Sequence, residues 1–496
     1  MLKVQVVRPD GYGYYVGGRS VHDGRELAGS ELEGPGVWTG AAAGSLGLQG
    51  TVDPEPFSSV MHGLDPGTGQ ALRSPRGPAS VGGYDLTFCA PKSVSLLAAL
   101  APRELAVEAG LGHDAAVADA SAYLARHGLG VRRAHGRTRS YLASTGMVAG
   151  SFRHLTSRAL DPHLHTHVVA ANIAHGVDGR WSAVDSRRVF AHVRAAGSVY
   201  QASLRLELGE RLGVGWDVRP SGLGDVAGVD PALRRLFSQR TASIEELVAR
   251  RFGGDGRRHR GAFYATRPEK DVSASIGSLT DAWRRRAEDF GFDLGELGRV
   301  VGRGRSAARD LGTGGRSAIA RFDPERLARR LREADGPDRT LSRGDLVVHV
   351  AAASPEGATA RQVESVVDAI VDASGSPTSG VHGSEQRWRV GAVARTLGEG
   401  RDLTGAASSR CILPDQGPGP SPGWHGRAVV GREHAGDGSR GAEPRFARER
   451  RLSDLRDRTD LRDRSAIVRD RRNDARERTD VRERGRSSRD GLDLGR

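Results

Sequence analysis

Residues 152–167 read FRHLTSRALDPHLHTH, and this stretch decides how the rest of the chain is interpreted. His163, His165 and His167 alternate with Leu164 and Thr166, and the run continues as VVAA, which is strand composition at strand period. Alternate residues of a strand face the same side of a sheet. The three imidazoles are therefore predicted to share one face.

A fourth histidine precedes this strand. His154 lies eleven residues before His165, and the Asp-Pro pair at 161–162 between them is a turn signal. An antiparallel neighbouring strand would bring His154 to the same place. Isolated histidines are usually structural, and the chain has 16 of them. Several buried imidazoles without partners are costly, however, so the cluster predicts a metal site with open coordination positions.

The histidine segment resembles the metal-binding motif of conjugative relaxases of the MobF (TrwC/TraI) kind, which are HUH endonucleases that nick single-stranded DNA. Three further motifs follow the family's order: GYDLTFCAPKSVS at 83–95, GRW at 179–181, and AAG at 195–197 with YQ at 200–201. The resemblance covers about residues 1–290, and we predict a relaxase domain over residues 1–295.

The resemblance implies that His154, His165 and His167 hold a divalent metal ion, with Mg or Mn expected and Zn as an alternative. His163 matches a variable position of the family motif. Three ligands leave a position open for the scissile phosphate, and a fourth imidazole would close it.

Tyrosines follow the first predicted strand, residues 2–7, and its RPDG turn. By composition alone, tyrosines beside glycines are packing residues. In the resemblance, Tyr14 and Tyr15 occupy the place of the family's leading pair of nucleophilic tyrosines, and we expect Tyr14 at a helix start with its ring over the sheet. The family's second pair has no counterpart, since no tyrosine lies between Val16 and Tyr84. One nucleophile suffices for nicking and for rejoining.

Asp85 lies in a predicted strand that precedes a helix over residues 94–100, for which Ser93 is the expected N-cap. Alone, such an aspartate is an edge or turn residue. The resemblance implies that Asp85 orients an imidazole and helps to accept the phenolic proton.

Basic residues around these motifs are candidates for contacts with DNA phosphates. Arg267 and Lys270 lie in an RPEK segment that resembles a DNA-contacting segment of the family. The predicted DNA-binding set adds Lys92, Arg153 and Arg158. Arginines around the metal strands are equally compatible with a solvated face.

The resemblance implies an α+β fold, which we predict for this chain: an antiparallel sheet palm of ferredoxin-like or RRM-like layout, covering helices, and a helical C-terminal clamp. Helical periodicity is found at residues 103–127, 186–212, 243–250 and 278–291.

Composition limits the classes of partner. The formal net charge is +13, and Lys3, Lys92 and Lys270 are the only lysines among 74 basic residues. This excess of positive charge favours a polyanionic partner, although ribosomal or chromatin-type binding proteins carry a similar excess. The two cysteines have no metal-ligand spacing, which fits a reducing cytoplasm. No signal-peptide core or membrane-length apolar run occurs, so a cytoplasmic protein without a membrane partner is expected.

Beyond residue 295 the chain becomes rich in Arg and Gly. We predict a partly helical accessory region over residues 296–400, with helices near 323–334 and 359–373, and a disordered Arg/Asp-rich tail over 401–496. No GxxxxGK[ST] motif occurs, so the phosphate-binding loop of an ATP-driven motor is absent from this sequence.

The function that the resemblance implies is nicking of plasmid DNA at a transfer origin by metal-assisted tyrosyl transesterification, with a 5′-phosphotyrosyl intermediate. The implied partners are single-stranded DNA, a separate helicase, and relaxosome or coupling proteins. Two alternatives stay open at this stage: a three-histidine metal-dependent phosphodiester hydrolase, and a degenerate relaxase that binds single-stranded DNA without cutting it.

Overall fold

Alternating buried and exposed residues build an antiparallel sheet in this computed structural model. The structure describes residues 1–16, 35–74, 81–252, 276–302, 322–334, 338–375, 377 and 386–398. The strands of this sheet are β1 Leu2–Val7, β2 Val37–Thr39, β3 Gly83–Cys89, β4 Gly130–His135, β5 Thr138–Thr156, β6 Pro162–Gly176 and β7 Trp181–Ser182. They are ordered β1-β3-β6-β5-β2, with β4 on β5 and β7 on β6. The predicted antiparallel palm is confirmed.

Strand β6 lies at the centre of the sheet because β3 and β5 pair with its two edges. Its register places His165 opposite Cys89 on β3 and opposite His154 on β5. The predicted strand pairing around the histidines is therefore present. The turn is earlier than predicted: residues 158–160 form it, with Leu160 at φ 56°, and β6 already begins at Pro162.

Helices cover both faces of the sheet. One face carries α2 Lys92–Leu100, α3 Arg103–His127 and α4 Ser186–Leu212, and the other carries α1 Pro54–His62 and a 3₁₀ helix over Pro9–Tyr14. The helices predicted over residues 103–127 and 186–212 are confirmed. The prediction that Ser93 is the N-cap of α2 is wrong. That position is Pro91, and the Ser93 hydroxyl donates to Asp225 and accepts from the backbone N–H of Val226.

Further helices form the expected C-terminal clamp: α5 Pro231–Leu236, α6 Gln239–Phe252, α7 Ile276–Asp289 and α8 Gly295–Val300. Two of them are fastened to the turn between β5 and β6. The buried Asp161 carboxylate accepts from the backbone and side-chain amides of Gln239 and from Arg286, and Trp283 Nε1 donates to the Leu160 carbonyl at 2.7 Å. The turn that joins the histidine strands is thereby fixed to α6 and α7. A short hairpin of β8 Trp216–Val218 and β9 Gly224–Val226 precedes them.

The region after residue 322 forms β10 Thr340–Ser342, β11 Arg387–Arg389, α9 Pro324–Ala334, α10 Arg343–Ala352, α11 Ala360–Ala373 and α12 Val390–Gly398. Ser342 and Thr359 cap α10 and α11 with capping boxes, which explains where these helices begin. Apolar side chains of this region, such as Leu346 and Ile370, belong to the same buried cluster as the sheet and α4. The core therefore continues across residue 295, where the sequence predicted a domain boundary.

All described residues fall within one compact unit, Met1–Gly423. Predictions for the tail over 401–496, and for Arg267 and Lys270, lie outside the described residues. None of the helices that the structure describes combines the length and the apolar character needed to cross a membrane.

Candidate active site

Three histidines converge on one face of the sheet. His154 on β5 and His165 and His167 on β6 offer nitrogen atoms that all lie within 4.8 Å of one another. Strand register brings them together, since His154 is the cross-strand partner of His165 and His167 follows two residues later on the same face. The structure therefore assembles the three residues that the sequence predicted.

Hydrogen bonds orient two of these rings. His167 Nδ1 lies 2.9 Å from both carboxylate oxygens of Asp85, and His165 Nδ1 lies 2.8 Å from the carbonyl oxygen of His163. Each Nδ1 therefore carries the proton, which leaves Nε2 of both rings as a lone-pair donor. Two imidazoles with oriented lone pairs, with the His154 ring beside them, fit a divalent metal ion.

His163 lies beside the cluster. Its ring stacks on His165 with centroids 4.8 Å apart and an interplanar angle of 30°, and burial lowers its pKa well below the ordinary histidine value. The three-nitrogen group does not include it. This placement agrees with the prediction that His163 is not one of the three metal ligands.

Tyr15 is held against the cluster by Asp85. Its hydroxyl donates to Asp85 Oδ2 at 3.0 Å, and its ring lies 5.6 Å from the His167 ring and 5.7 Å from Phe152. Burial and the adjacent carboxylate raise the Tyr15 pKa above the ordinary tyrosine value. Asp85 thus binds an imidazole and a phenol at the same time.

Tyr14 is the exposed member of the pair, with 47% of its surface accessible. Its ring lies 6.5 Å from that of His167, and Arg158 Nη2 is 3.4 Å from its hydroxyl oxygen. Tyr14 ends a 3₁₀ helix rather than starting an α-helix, so the predicted helix start is wrong, although the ring does reach the sheet face. Pro9 opens this short helix, and its first turn suits the fixed proline φ. Tyr12 packs on Phe57 and His62, away from the cluster.

The other predicted DNA-contacting residues are not brought to the cluster. Lys92 donates to the carbonyl oxygen of Pro162, and burial lowers its pKa to about 8. Arg153 lies on the face of the sheet that α2, α3 and α4 cover, where it forms an ion pair with Asp114 of α3 at 2.6 Å. Arg158 is the member of the described set that reaches a tyrosine.

Thr87 is a site residue that the sequence reasoning missed. Its hydroxyl donates to Asp85 Oδ1 at 3.1 Å and lies 3.3 Å from His167 Nδ1. Thr87 follows Asp85 by two residues on β3, so strand alternation alone places both on the same face. Phe152 was also missed; it lies two residues before His154 and supports the Tyr15 ring.

An antiparallel sheet that carries three convergent imidazoles, with a tyrosine pair against them and a carboxylate behind one ring, has the arrangement of the HUH endonucleases. The family model described as TrwC relaxase matches residues 9–290. The chain therefore belongs to the TrwC relaxase family.

Two relatives are the multifunctional conjugation protein TraI of Escherichia coli and that of Escherichia coli strain K12. The first is 35% identical over 223 residues, which cover 42% of this chain and 12% of the relative. The second is 31% identical over 272 residues, which cover 52% of this chain and 15% of the relative. The chain thus spans only a small part of these relatives. Solved structures of the conjugative relaxase TrwC with oriT DNA, in copper-bound and metal-free forms, are 31% identical with a TM-score of 0.51. Each match covers 59% of this chain and 100% of the solved chain.

Proposed function

We propose that this chain is a conjugative DNA relaxase that nicks single-stranded DNA at a transfer origin by tyrosyl transesterification. The observation that carries the proposal is the pair Tyr14 and Tyr15 beside the three-histidine cluster, on the fold of the family. A tyrosine at a metal site suits attack on a phosphodiester, whereas a metal site alone suits attack by water.

Tyr14 is the proposed nucleophile. Tyr14 is exposed, and its phenolic oxygen lies next to the Arg158 guanidinium, which would stabilise the phenolate by a charge-assisted hydrogen bond. The Tyr15 hydroxyl is instead engaged by Asp85. We assign Tyr15 a positioning role, because it fixes the carboxylate that also orients His167.

In the proposed step, Tyr14 Oη forms a bond to the scissile phosphorus while the bond from phosphorus to the 3′-oxygen breaks. The phenolic proton leaves to solvent, or to Asp85 as the acceptor that the family resemblance implies, and the 3′-oxygen takes up a proton from solvent. The products are a 5′-phosphotyrosyl adduct and a free 3′-hydroxyl. One ester replaces another, so the reverse reaction rejoins the strand without ATP.

His154, His165 and His167 would hold the metal ion. When bound there, a divalent cation supplies a Lewis acid that polarises the phosphate and offsets its developing charge. Mg and Mn are the ions proposed from the sequence. Zn is the alternative proposed from the sequence, and the all-imidazole donor set supports comparing it, because imidazole suits Zn better than Mg.

Single-stranded DNA at a transfer origin is the proposed substrate, with a separate helicase and relaxosome or coupling proteins as proposed partners and the cytoplasm as the proposed location. The relatives support the DNA substrate, since the TrwC structures contain oriT DNA and TraI is named a conjugation protein. The formal charge of +13 supports a polyanionic partner.

The test uses an oligonucleotide spanning the transfer origin of the replicon that carries the gene, incubated with the full chain and Mg, Mn or Zn. We expect a protein–DNA adduct that survives SDS and does not form when EDTA is present from the start. Nicking without an adduct would identify a hydrolase. Tight binding without cutting in any of the three metals would identify a DNA-binding relative without nuclease activity.

A further inference from the structure

Two adjoining pockets lie on the side of the histidine cluster away from the tyrosines. The first, of about 660 Å³, is lined in part by His163, and the second, of about 520 Å³, by Trp216 of the β8–β9 hairpin. Both are lined by Arg219, Asp225 and Arg234, so they adjoin at a shared wall, and we call the two pockets together the Trp216 groove.

The direction of β6 relates this groove to the chemistry. His163 lines the groove and stacks on His165, whereas His167, farther along the strand, lies beside Tyr14. The groove therefore begins on the side of the cluster opposite the nucleophile. In an in-line displacement the attacking and leaving oxygens lie on opposite sides of the phosphorus. A strand that leaves through its 3′-oxygen would therefore lie on the same side of the cluster as the groove.

The lining of the groove is predominantly cationic. Its side chains that carry charge, apart from His163, are six basic residues and two carboxylates: Lys3, Lys92, Arg219, Arg234, Arg235, Arg326, Asp217 and Asp225. Asp225 is paired with Arg219 and Arg234 at 2.6 and 2.5 Å. The remaining excess of positive charge is suited to the phosphates of a nucleic acid strand.

Two donors in the groove have no hydrogen-bond partner among the described residues. They are the indole Nε1 of Trp216 and Nε of Arg234, both shielded from solvent. Buried donors without acceptors are uncommon, so the described residues leave this wall of the groove incompletely satisfied. A tryptophan beside arginines is also the combination with which proteins hold single-stranded nucleic acid, by stacking and charge.

Residues after the family match complete the groove. Arg326 on α9 lines it and lies 3.5 Å from the carbonyl oxygen of Val218, and Pro355 forms part of the same wall. Buried Arg205 fixes this arrangement, because it donates to carbonyl oxygens of both the hairpin, at Gly222, and the C-terminal region, at Ala351. Since the family match ends at residue 290, Arg326 and Pro355 lie beyond it.

We propose that the Trp216 groove holds the single-stranded DNA segment on the 3′-oxygen side of the scissile phosphate, with a base stacked on Trp216 and a phosphate bound by Arg326. This rests on the proposed relaxase function for the direction of the strand. It assigns the region after residue 322 a direct part in holding DNA.

The experiment measures binding of a fluorescein-labelled oligothymidylate of about 30 nucleotides to the full chain in EDTA, by anisotropy over a range of salt concentrations. Arg326→Gln should weaken binding about threefold to tenfold and reduce the salt slope by about 0.7, the value for one lost phosphate contact on a single strand. Arg329→Gln is the matched control, because Arg329 is an exposed arginine on the same helix outside the groove. It should change neither quantity. Equal effects of the two variants would overturn the proposal.

A second measurement tests the stacking contact without relying on a folded variant. Irradiation of the wild-type complex with a 5-iodouracil-substituted oligothymidylate should cross-link Trp216, as mapped by peptide mass spectrometry. Trp216→Phe should remove that cross-link. Cross-links confined to peptides outside the groove would contradict the proposed stacking contact. The binding assay in EDTA needs no cleavage, so the two proposals can fail separately. Adduct formation without DNA binding in the groove would refute only the groove, and DNA binding in the groove without adduct formation would refute only the relaxase function.

Discussion

His167 and Asp85 face each other across β6 and β3, with the imidazole Nδ1 2.9 Å from each carboxylate oxygen. The carboxylate accepts the Nδ1 proton, so the ring presents Nε2 to the other two histidines. The same carboxylate accepts the Tyr15 hydroxyl proton, which couples the metal site to the tyrosine pair.

Replacing Asp85 with asparagine should therefore weaken metal binding. The amide keeps the shape of the side chain but loses the charge that fixes the His167 tautomer, and loss of such a partner typically costs 10- to 100-fold in metal affinity. Calorimetric titration with Mn measures the effect. Asp10→Asn, at an exposed carboxylate paired with His62, is the control and should bind metal like wild type. Unchanged affinity in Asp85→Asn would show that the carboxylate does not tune the site.

His163 and His165 should differ sharply although their rings stack. His165→Ala removes a ligand and should abolish metal binding and adduct formation. His163→Gln keeps a polar side chain outside the three-nitrogen group, and its backbone carbonyl still accepts from His165, so most activity should remain. Adduct yield and metal titration of both variants provide the measurement. Comparable losses in the two would mean that the ligand set is wrong.

Local patterns in this sequence predict its secondary structure, whereas contacts between distant residues are not visible in it. Helical periodicity in the sequence predicted the helices α3 and α4, and strand alternation predicted the histidine strand. The family resemblance implied the palm and selected His154 over His163. The role of Ser93 was not predictable from its position before a helix. Its partners, Asp225 and Val226, lie more than 130 residues away. The packing of residues 322–398 depends similarly on Arg205, whose carbonyl partners are distant in sequence.

Arg205 should be a major contributor to stability. It is 1% exposed and donates to the carbonyl oxygens of Gly222, Ala351 and Ser354. Arg205→Met fills similar space but leaves these buried acceptors without a donor, so the free energy of unfolding should fall by about 3 kcal/mol. Urea denaturation followed by circular dichroism measures it. Arg211→Met on the same helix removes partly exposed ion pairs and should cost at most about 1 kcal/mol. Equal losses would argue against a special role for Arg205.

Lys92 should make stability depend on pH. Burial lowers its folded-state pKa to about 8, below the 10.5 of an ordinary lysine. Between these values the unfolded chain binds the proton and the folded chain does not, so the contribution of Lys92 to folding stability rises as the pH increases from 8 to 10.5. The difference in urea midpoint between wild type and Lys92→Met, measured across this range, isolates the contribution from other titrating groups. A difference that does not change with pH would contradict the lowered pKa.

The tyrosines provide the most direct test of the reaction. Phenylalanine keeps the ring packing and removes only the hydroxyl, so each variant reports on one oxygen atom. Tyr14→Phe should lose adduct formation by at least about 1000-fold, as expected when a nucleophile is deleted, while DNA binding stays near wild type. Tyr15→Phe removes the hydrogen bond to Asp85 and should retain part of the activity. Tyr12→Phe should match wild type, because Tyr12 packs on Phe57 and His62.

Peptide mapping of the wild-type adduct decides the assignment independently of rates. The phosphotyrosyl group should be found on Tyr14, the exposed residue whose hydroxyl oxygen lies near Arg158. Arg158→Gln should then slow adduct formation without changing which tyrosine is modified, since it removes a charge that stabilises the phenolate. An adduct on Tyr15 would reverse the roles of the pair and make Asp85 the base for its proton, while leaving the histidine cluster as the metal site.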